Sequence, residues 1–373
     1  MRIGIDARPL LSVPPSAHAA TLAQILLLNG KRPFDHLFVL YTDDERHSLG
    51  EFEAHNVVRR VAPRGRRVPD LVWLNTRLAR QAAADRLDVY FACMYKIPAF
   101  TRIPCVNMLH DTAFFNLPRR YLSGRQRSAA YRALLRALIA CHCRRAASTI
   151  TVSEFSRSCI LRTLGLPAES VAVCYNAVLP EFFDAAALGK AIPSLPPEYC
   201  LFIGSGIPKK NIPLMLQAYA LLPCELRRRF PLLLRTSSSP AYSADCARLG
   251  IEASVRFLDG YLSSDELVYL VKRASLLVLL SQEEGFGLPV AEAMAAGVPV
   301  LTSSGGSLPE IAGGGIDLTR EGPGGVSEGW RELLEQDDLR DRVRERGLRL
   351  ARRYHPDVAA AQLLRLIVSA SRS

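Results

Sequence analysis

Between Ser275 and Thr302 the chain spells out a complete strand–turn–helix–strand unit, and no other stretch limits its possible folds as tightly. The run SLLVLL, 275–280, is apolar on both alternations, as a strand buried on both faces must be. Gly285 and Gly287 form a turn after it. Pro289 suits the first turn of a helix, where the N–H it lacks would have no partner. Gly297 is placed to end that helix at about Ala296, and VPVLT, 298–302, is a second short buried strand. Parallel strands joined by a helix define an α/β protein. In such a unit a ligand sits at the carboxyl ends of the strands, with its phosphates against the helix N-terminus.

The residues in the turn narrow the ligand. Gly285 and Gly287 let the backbone pass close to it, so that the N–H groups of Phe286, Gly287 and Leu288 can point at an anion. Glu284 and Glu292 flank the same turn, and carboxylates repel phosphate. They suit hydroxyl pairs, the handle by which a protein grips a sugar. Glu292, one turn into the helix, would face a ribose diol, and Glu284 the hydroxyls of a second sugar beyond a diphosphate. An ordinary turn with solvated carboxylates is the competing explanation for such a pattern taken alone.

A second strand–turn–helix stands at 200–222, CLFIGSGIPKKNIPLMLQAYALL. Gly204 and Ser205 open its turn, and Lys209 and Lys210 make it basic. The two lysines would neutralise a diphosphate leaving group in the place of a metal ion. Upstream, CVNMLHDTAFFNLPRRY, 105–121, sets His110 and Asp111 directly after an apolar strand. In TVSEFSRSCILRTLGLP, 151–167, Ser153 reads as a helix N-cap.

The stretch EGFGLPVAEAMAAGVPV, 284–300, resembles the Glu-x7-Glu signature of the retaining glycosyltransferases of family 4, and the segments at 105–121, 151–183 and 200–222 are similar to that family as well. The resemblance covers most of the chain. It implies the α/β GT-B fold, two Rossmann-like domains facing across a cleft. It further implies that Glu292 binds the ribose of a nucleotide-sugar and Glu284 its donor sugar, with Lys210 and then Lys209 as phosphate ligands and His110 near the donor sugar or acceptor. Catalytic roles then fall to His110, Lys210 and Glu284, and donor binding to Gly204, Ser205, Lys209, Lys210, Gly285, Phe286, Gly287, Leu288 and Glu292. Retention of anomeric configuration also comes from the resemblance alone. Bacterial mannosyltransferases are the nearest in look, which points to GDP-mannose as donor with a UDP-sugar close behind. Two departures stand out. Ser205 occupies a place where many members carry Arg, and SVPPSAHAATLAQILL, from Ser12, replaces a Gly-rich loop after the first strand. The second departure raises the alternative of a nucleotide-sugar-binding protein with lost or regulatory activity.

At 373 residues the chain is long enough for two α/β cores. The Pro-containing stretch 186–199 suggests an N-terminal acceptor-binding domain over 1–185, a nucleotide-sugar-binding domain over 196–353, and a last helix over 354–373 crossing back to the first domain. The loop GGGIDLTREGPGG, 313–325, is expected at the cleft edge. No Asp-x-Asp pair occurs, so no metal and no cofactor besides the donor is expected. Nine cysteines without paired spacing fit reduced thiols in the cytoplasm. The net charge of +11 is uneven, with nine Arg and one acid, Asp111, between residues 101 and 150. The segment 119–145 has helical apolar spacing, so it is either a solvated basic face or a peripheral contact with an anionic membrane, at the inner face of the plasma membrane, as a lipid-linked saccharide acceptor would require. No nucleic-acid motif accompanies it, and no nucleic-acid partner is expected. A basic scaffold that retains only the fold is a third reading.

Overall fold

The computed structural model describes residues 1–8, 36–43, 54–64, 68–112, 115, 128–236, 239–315 and 318–372. The chain divides into two compact units, one made of Met1–Ala177 with Pro356–Ser373, the other of Val178–His355. The division falls ahead of the Pro-containing stretch 186–199, because the chain from Val178 is already tied into the second unit. Val178 N–H donates to Tyr354 O at 2.9 Å, Lys272 Nζ to Ala187 O at 2.7 Å, and Lys190 pairs with Glu266 at 3.0 Å.

The first unit is built on a parallel sheet of β1 (Arg2–Asp6), β2 (Leu37–Thr42), β3 (Val57–Val61), β4 (Val89–Ala92), β5 (Cys105–Met108), β6 (Ser148–Thr151) and β7 (Val171–Val173). Their order is β3-β2-β1-β4-β5-β6-β7. Most of these strands are buried along nearly their whole length, because helices cover both faces of a parallel sheet. Over one face Trp73, Leu74 and Leu78 pack with Tyr41 and Tyr90, and the Trp73 indole N–H donates to Ala62 O at 2.6 Å. Elsewhere the helices Ala129–Arg145 and Glu154–Leu164 bury Ile139, Cys143, Ile160 and Leu164. Ser153 is an N-cap, as its position suggested, with Oγ accepting from Ser156 N–H at 3.0 Å. The final helix, Pro356–Ala370, buries Leu363 and Ile367, and its Gln362 donates to Val173 O at 2.9 Å. Of the basic segment 119–145, the described part begins at Ser128, which caps the helix through Tyr131 N–H. The altered loop after β1, 12–20, lies outside the described residues.

The second unit holds β8 (Cys200–Ile203), β9 (Leu232–Arg235), β10 (Val255–Phe257), β11 (Leu276–Leu279) and β12 (Val300–Thr302), all parallel, in the order β10-β9-β8-β11-β12. The stretch 313–325, expected as a loop, is largely helical where described: a helical segment Leu318–Glu335 runs through it, broken at Gly322 (φ 57°), with Pro323 opening the second piece. Its glycines and proline argue for a loop locally, but Val326 and Trp330 are fully buried and hold the helix against the core. The Trp330 ring lies 5.3 Å from Tyr219, and its N–H reaches Cys200 Sγ at 3.2 Å. None of the described helices is long and apolar enough to cross a membrane.

Strand order decides where a ligand can sit. In the second unit β8 lies between β9 and β11, so the connections leaving β8 and β11 diverge and open a crevice at their carboxyl ends. The two turns singled out by sequence, 204–211 and 281–288, are the ones that follow those two strands.

Candidate functional site

The turn after β8 begins at Gly204, whose N–H donates to Arg235 O at 3.0 Å, and passes through the short 3₁₀ turn Pro208–Lys210. Asn211, in the left-handed conformation (φ 55°), then launches the helix Ile212–Ala220. The turn after β11 is tied to it by a backbone bond from Gln282 N–H to Lys209 O at 2.8 Å. This places Lys210 Nζ 2.6 Å from Glu284 Oε1, in a pair whose side chains are only 12% and 8% exposed. Ser281 Oγ donates to the same Oε1 at 2.5 Å. One carboxylate oxygen therefore takes both donors, while Oε2 carries neither.

A third turn, after β12, fixes the backbone of Glu284. Ser307 N–H donates to Glu284 O at 3.0 Å, and Ser303 Oγ donates to Ser281 O. Gly306 (φ 68°) lies so close that a Cβ there would be 2.4 Å from Glu284 O. Gly287 (φ 90°) is the N-cap of the helix Leu288–Ala295, and a Cβ on it would meet Leu308 at 2.7 Å. Both glycines are required by left-handed backbone and by close packing together. The helix starts with Pro289 in its first turn and stops at Ala295, with Gly297 left-handed beyond it, as the sequence suggests. Leu288 N–H has no acceptor within the helix and is available to an anion, whereas Pro289 has no N–H and Val290 N–H is taken by Gly287 O at 2.9 Å.

Glu292 sits in the middle of this helix, 7% exposed, between the fully buried Ala291 and Ala293. No described residue hydrogen-bonds or ion-pairs with its carboxyl group. Burial pushes its pKa up to about 8. Leaving a buried acid without a partner is costly, and proteins tolerate such groups chiefly where a ligand supplies the missing bonds.

Of the other expected residues, Phe286 is buried and packs edge-on against Tyr354 at 5.3 Å, so only its backbone can serve a ligand. Gly285 and Leu288 are partly exposed on either side of it, and Ser205 is exposed on the β8 turn. Lys209 follows the same turn and anchors it through its carbonyl. His110 belongs to the first unit. It stands just past the carboxyl end of β5, half-buried, with its carbonyl accepting from Thr151 Oγ1 at 3.4 Å. The structure thus pairs Lys210 directly with Glu284, ties the backbone of Lys209 to Gln282 beside them, and sets Glu292 on the helix that starts from the same turn.

Sequence reasoning missed Ser281 and the turn 303–307. A serine at a strand end carries no signal of its own, and the approach of a third turn depends on β12 lying beside β11. It also missed an ion-pair network at the crevice of the first unit, where β1 lies between β2 and β4. There Arg8 binds Asp6 at 2.6 Å and also Asp70, stacks 4.2 Å over Trp73, and Lys96 reaches Asp70 at 2.9 Å. Burial would raise the Asp70 pKa, but the bonds from Lys96 and Arg8 outweigh it and hold the carboxylate below its ordinary value. Among the described residues no three His, Cys, Asp or Glu side chains gather as metal ligands would.

Two family models match the chain, "Glycosyltransferase Family 4" over residues 27–182 and "Glycosyl transferases group 1" over 190–349. O-antigen chain mannosyltransferase B of Escherichia coli is 34% identical over 203 residues, covering 52% of this chain and 51% of that protein. Serotype-specific mannosyltransferase WbdA of the same species is 39% identical over 108 residues, 28% of this chain and 13% of WbdA. The chain thus matches about half the length of the first relative and much less of the second. Among solved structures, Anabaena Alr3699/HepE in complex with UDP and glucose aligns with a TM-score of 0.72 at 20% identity, covering 99% of both chains. WaaG, a glycosyltransferase involved in lipopolysaccharide biosynthesis, aligns at 0.67 and 16% identity over 98% of this chain and 99% of its own. At these identities the two structures bear on fold alone, and the fold is GT-B.

Proposed function

Since the chain belongs to the family 4 glycosyltransferases, with the GT-B fold, we propose that it is a retaining, metal-independent hexosyltransferase of O-antigen or lipopolysaccharide-type assembly. It takes its sugar, mannose before glucose, from a nucleotide-diphosphate sugar and gives it to a saccharide or lipid-linked saccharide. The mannosyltransferase names of the relatives support the choice of sugar, and GDP-mannose is accordingly the first donor to test, with UDP-sugars second. The acceptor's lipid would bring the basic helix of the first unit to an anionic membrane surface.

The observation that carries this reading is the buried, partnerless carboxyl of Glu292 at the crevice of the second unit. A ribose diol supplies the two donors it lacks. The diphosphate then lies against the N–H groups of Gly287 and Leu288 at the start of the helix Leu288–Ala295, and Lys209 and Lys210 balance its charge in place of a metal. Glu284, aimed by Ser281 and by the turn 303–307, offers Oε2 to a donor-sugar hydroxyl. Ser281 is therefore a positioning residue. His110, on the first unit, is assigned to the sugar being transferred or to its acceptor.

In the reaction the bond between the anomeric carbon and the diphosphate oxygen breaks, and the acceptor oxygen bonds to the same face of that carbon. The acceptor's proton passes to the departing phosphate oxygen, so no side chain needs to act as base. Lys210 has a second duty here. It neutralises Glu284 before donor binds, and the growing charge on the diphosphate draws it away as the sugar leaves.

Titration calorimetry with GDP, UDP, GDP-mannose and UDP-glucose, without added metal, tests the reading. Micromolar binding of one nucleotide by wild type and its loss in Glu292→Ala are expected. Equal binding by both proteins, or none by wild type, would overturn the donor site.

A further inference from the structure

A cavity of about 480 Å³ in the first unit opens between the helices Ala129–Arg145 and Glu154–Leu164 and is lined by Phe115, Arg132, Ala133, Arg136, Arg162 and Thr163. Of the described residues lining it, three are arginines and none is acidic. The helix Ala129–Arg145 contains no acidic residue at all. Like charges at i and i+4, such as Arg132 and Arg136, cost a helix stability, and Arg162 from the neighbouring helix adds to the same potential.

The other arginines of these two helices are used within the fold. Arg144 donates to Leu164 O at 2.9 Å, Arg145 to Ala99 O, and Arg157 to Val171 O and Ala168 O at 2.8 and 2.7 Å. Arg136 and Arg162 are not. Arg136 makes no hydrogen bond or ion pair with any described residue, and Arg162 has one long contact, 3.5 Å to Cys159 Sγ. Structural need therefore accounts for Arg144, Arg145 and Arg157, and leaves Arg136 and Arg162 without an occupation.

The same helix carries apolar side chains in water beside the cavity. Leu134 is 71% exposed and Tyr131 37%, and Ala130, Ala133 and Ala137 are exposed with them. Basic groups adjoining exposed apolar ones match a lipid–water interface, where anionic headgroups meet acyl chains.

We infer that this cavity receives the phosphate of an anionic phospholipid headgroup through Arg136 and Arg162, with Leu134 and Tyr131 entering the interface beside it. This rests on the reading of the acceptor as membrane-borne and narrows the membrane contact to a defined site. Arg136 and Arg162 close on the phosphate oxygens as forked donors, with no carboxylate among the described lining residues to oppose them.

The test is cosedimentation of the full chain with vesicles of phosphatidylcholine alone and with vesicles that also contain phosphatidylglycerol. Wild type is expected to bind only the second. The double variant Arg136→Ala/Arg162→Ala should lose roughly 25-fold in partitioning, about fivefold for each arginine near an anionic surface. Arg248→Ala/Arg349→Ala removes the same net charge from exposed positions of the second unit and should partition as wild type. Equal losses in the two double variants would reduce the effect to net charge and overturn the site. So would equal binding of wild type to both vesicle types, or retention on single-stranded DNA without retention on vesicles. Nucleotide-sugar binding measured on the same proteins separates the two readings: its absence in wild type sinks the transferase, whereas a vesicle failure with donor binding intact sinks only this site.

Discussion

Binding of the donor nucleotide should release a proton, and the amount follows from Glu292. Its pKa of about 8 means that at pH 7 about nine-tenths of the molecules carry a neutral acid there. A ribose diol donates its hydroxyl hydrogens, which favours the ionised form and brings the pKa back toward that of an ordinary carboxylate. Binding at pH 7 then expels about 0.9 proton from this group, and at pH 9 only about 0.1. Nucleotide affinity correspondingly rises about tenfold between those two pH values, roughly 1.4 kcal/mol. Calorimetry in buffers of different ionisation enthalpy reads the proton count directly. Glu292→Gln provides the reference, since it keeps the shape of the group and leaves only the protons that the nucleotide itself exchanges. A wild-type count equal to that of Glu292→Gln at pH 7 would refute the assignment of the ribose to this carboxyl.

The same shift affects stability, with a definite sign. A carboxyl whose folded pKa lies above its unfolded value binds a proton on folding, so its cost appears above the unfolded pKa and grows until pH passes the folded one. Glu292→Gln should therefore be more stable than wild type by about 3 kcal/mol at pH 7 and by less than about 1 kcal/mol at pH 5, and parallel urea curves at the two pH values would contradict the shift. Lys210→Ala should destabilise the second unit by about 3 kcal/mol, because it strands Glu284 in a site where its side chain is 8% exposed. Adding Glu284→Ala should recover much of that loss, and additive losses in denaturant melts would rule out the pairing. Ser281→Ala should leave nucleoside diphosphate binding unchanged while weakening sugar-nucleotide binding by about tenfold, the worth of one hydrogen bond to a charged group. A uniform loss for both ligands would show that the serine supports the fold rather than aiming Glu284.

Much of the molecule is legible in local patterns. Apolar runs such as LLVL and CLFI specify buried parallel strands because both faces of such a strand meet helices, and no partner need be known to see it. The turn glycines and Pro289 mark the start of the helix Leu288–Ala295 for reasons confined to their own backbone. Glu284, Glu292 and the lysine pair stand out in the sequence as candidates for a sugar-and-phosphate set, because hydroxyls and phosphates call for opposite chemistry and each group sits in a Gly-containing turn after an apolar strand.

Where several turns converge, the linear pattern is silent. The stretch 313–325 reads as a loop from its glycines, yet residues after Gly322 are helical because Trp330 and Val326 find a core to enter. Ser281 aims Glu284 only because the turn after β12 clamps the backbone between them, and Lys210 meets Glu284 across 74 residues of chain only because β8 and β11 are neighbours. Likewise, nothing in the composition distinguishes Arg136 from Arg144. One is exposed beside a cavity and the other ties two helices together. Sequence by itself determined which chemical groups this protein has available and which local conformations deliver them. Tertiary structure alone decided which of those groups meet and which stay unpaired, because contact and burial depend on strand order and on packing between segments far apart in the chain.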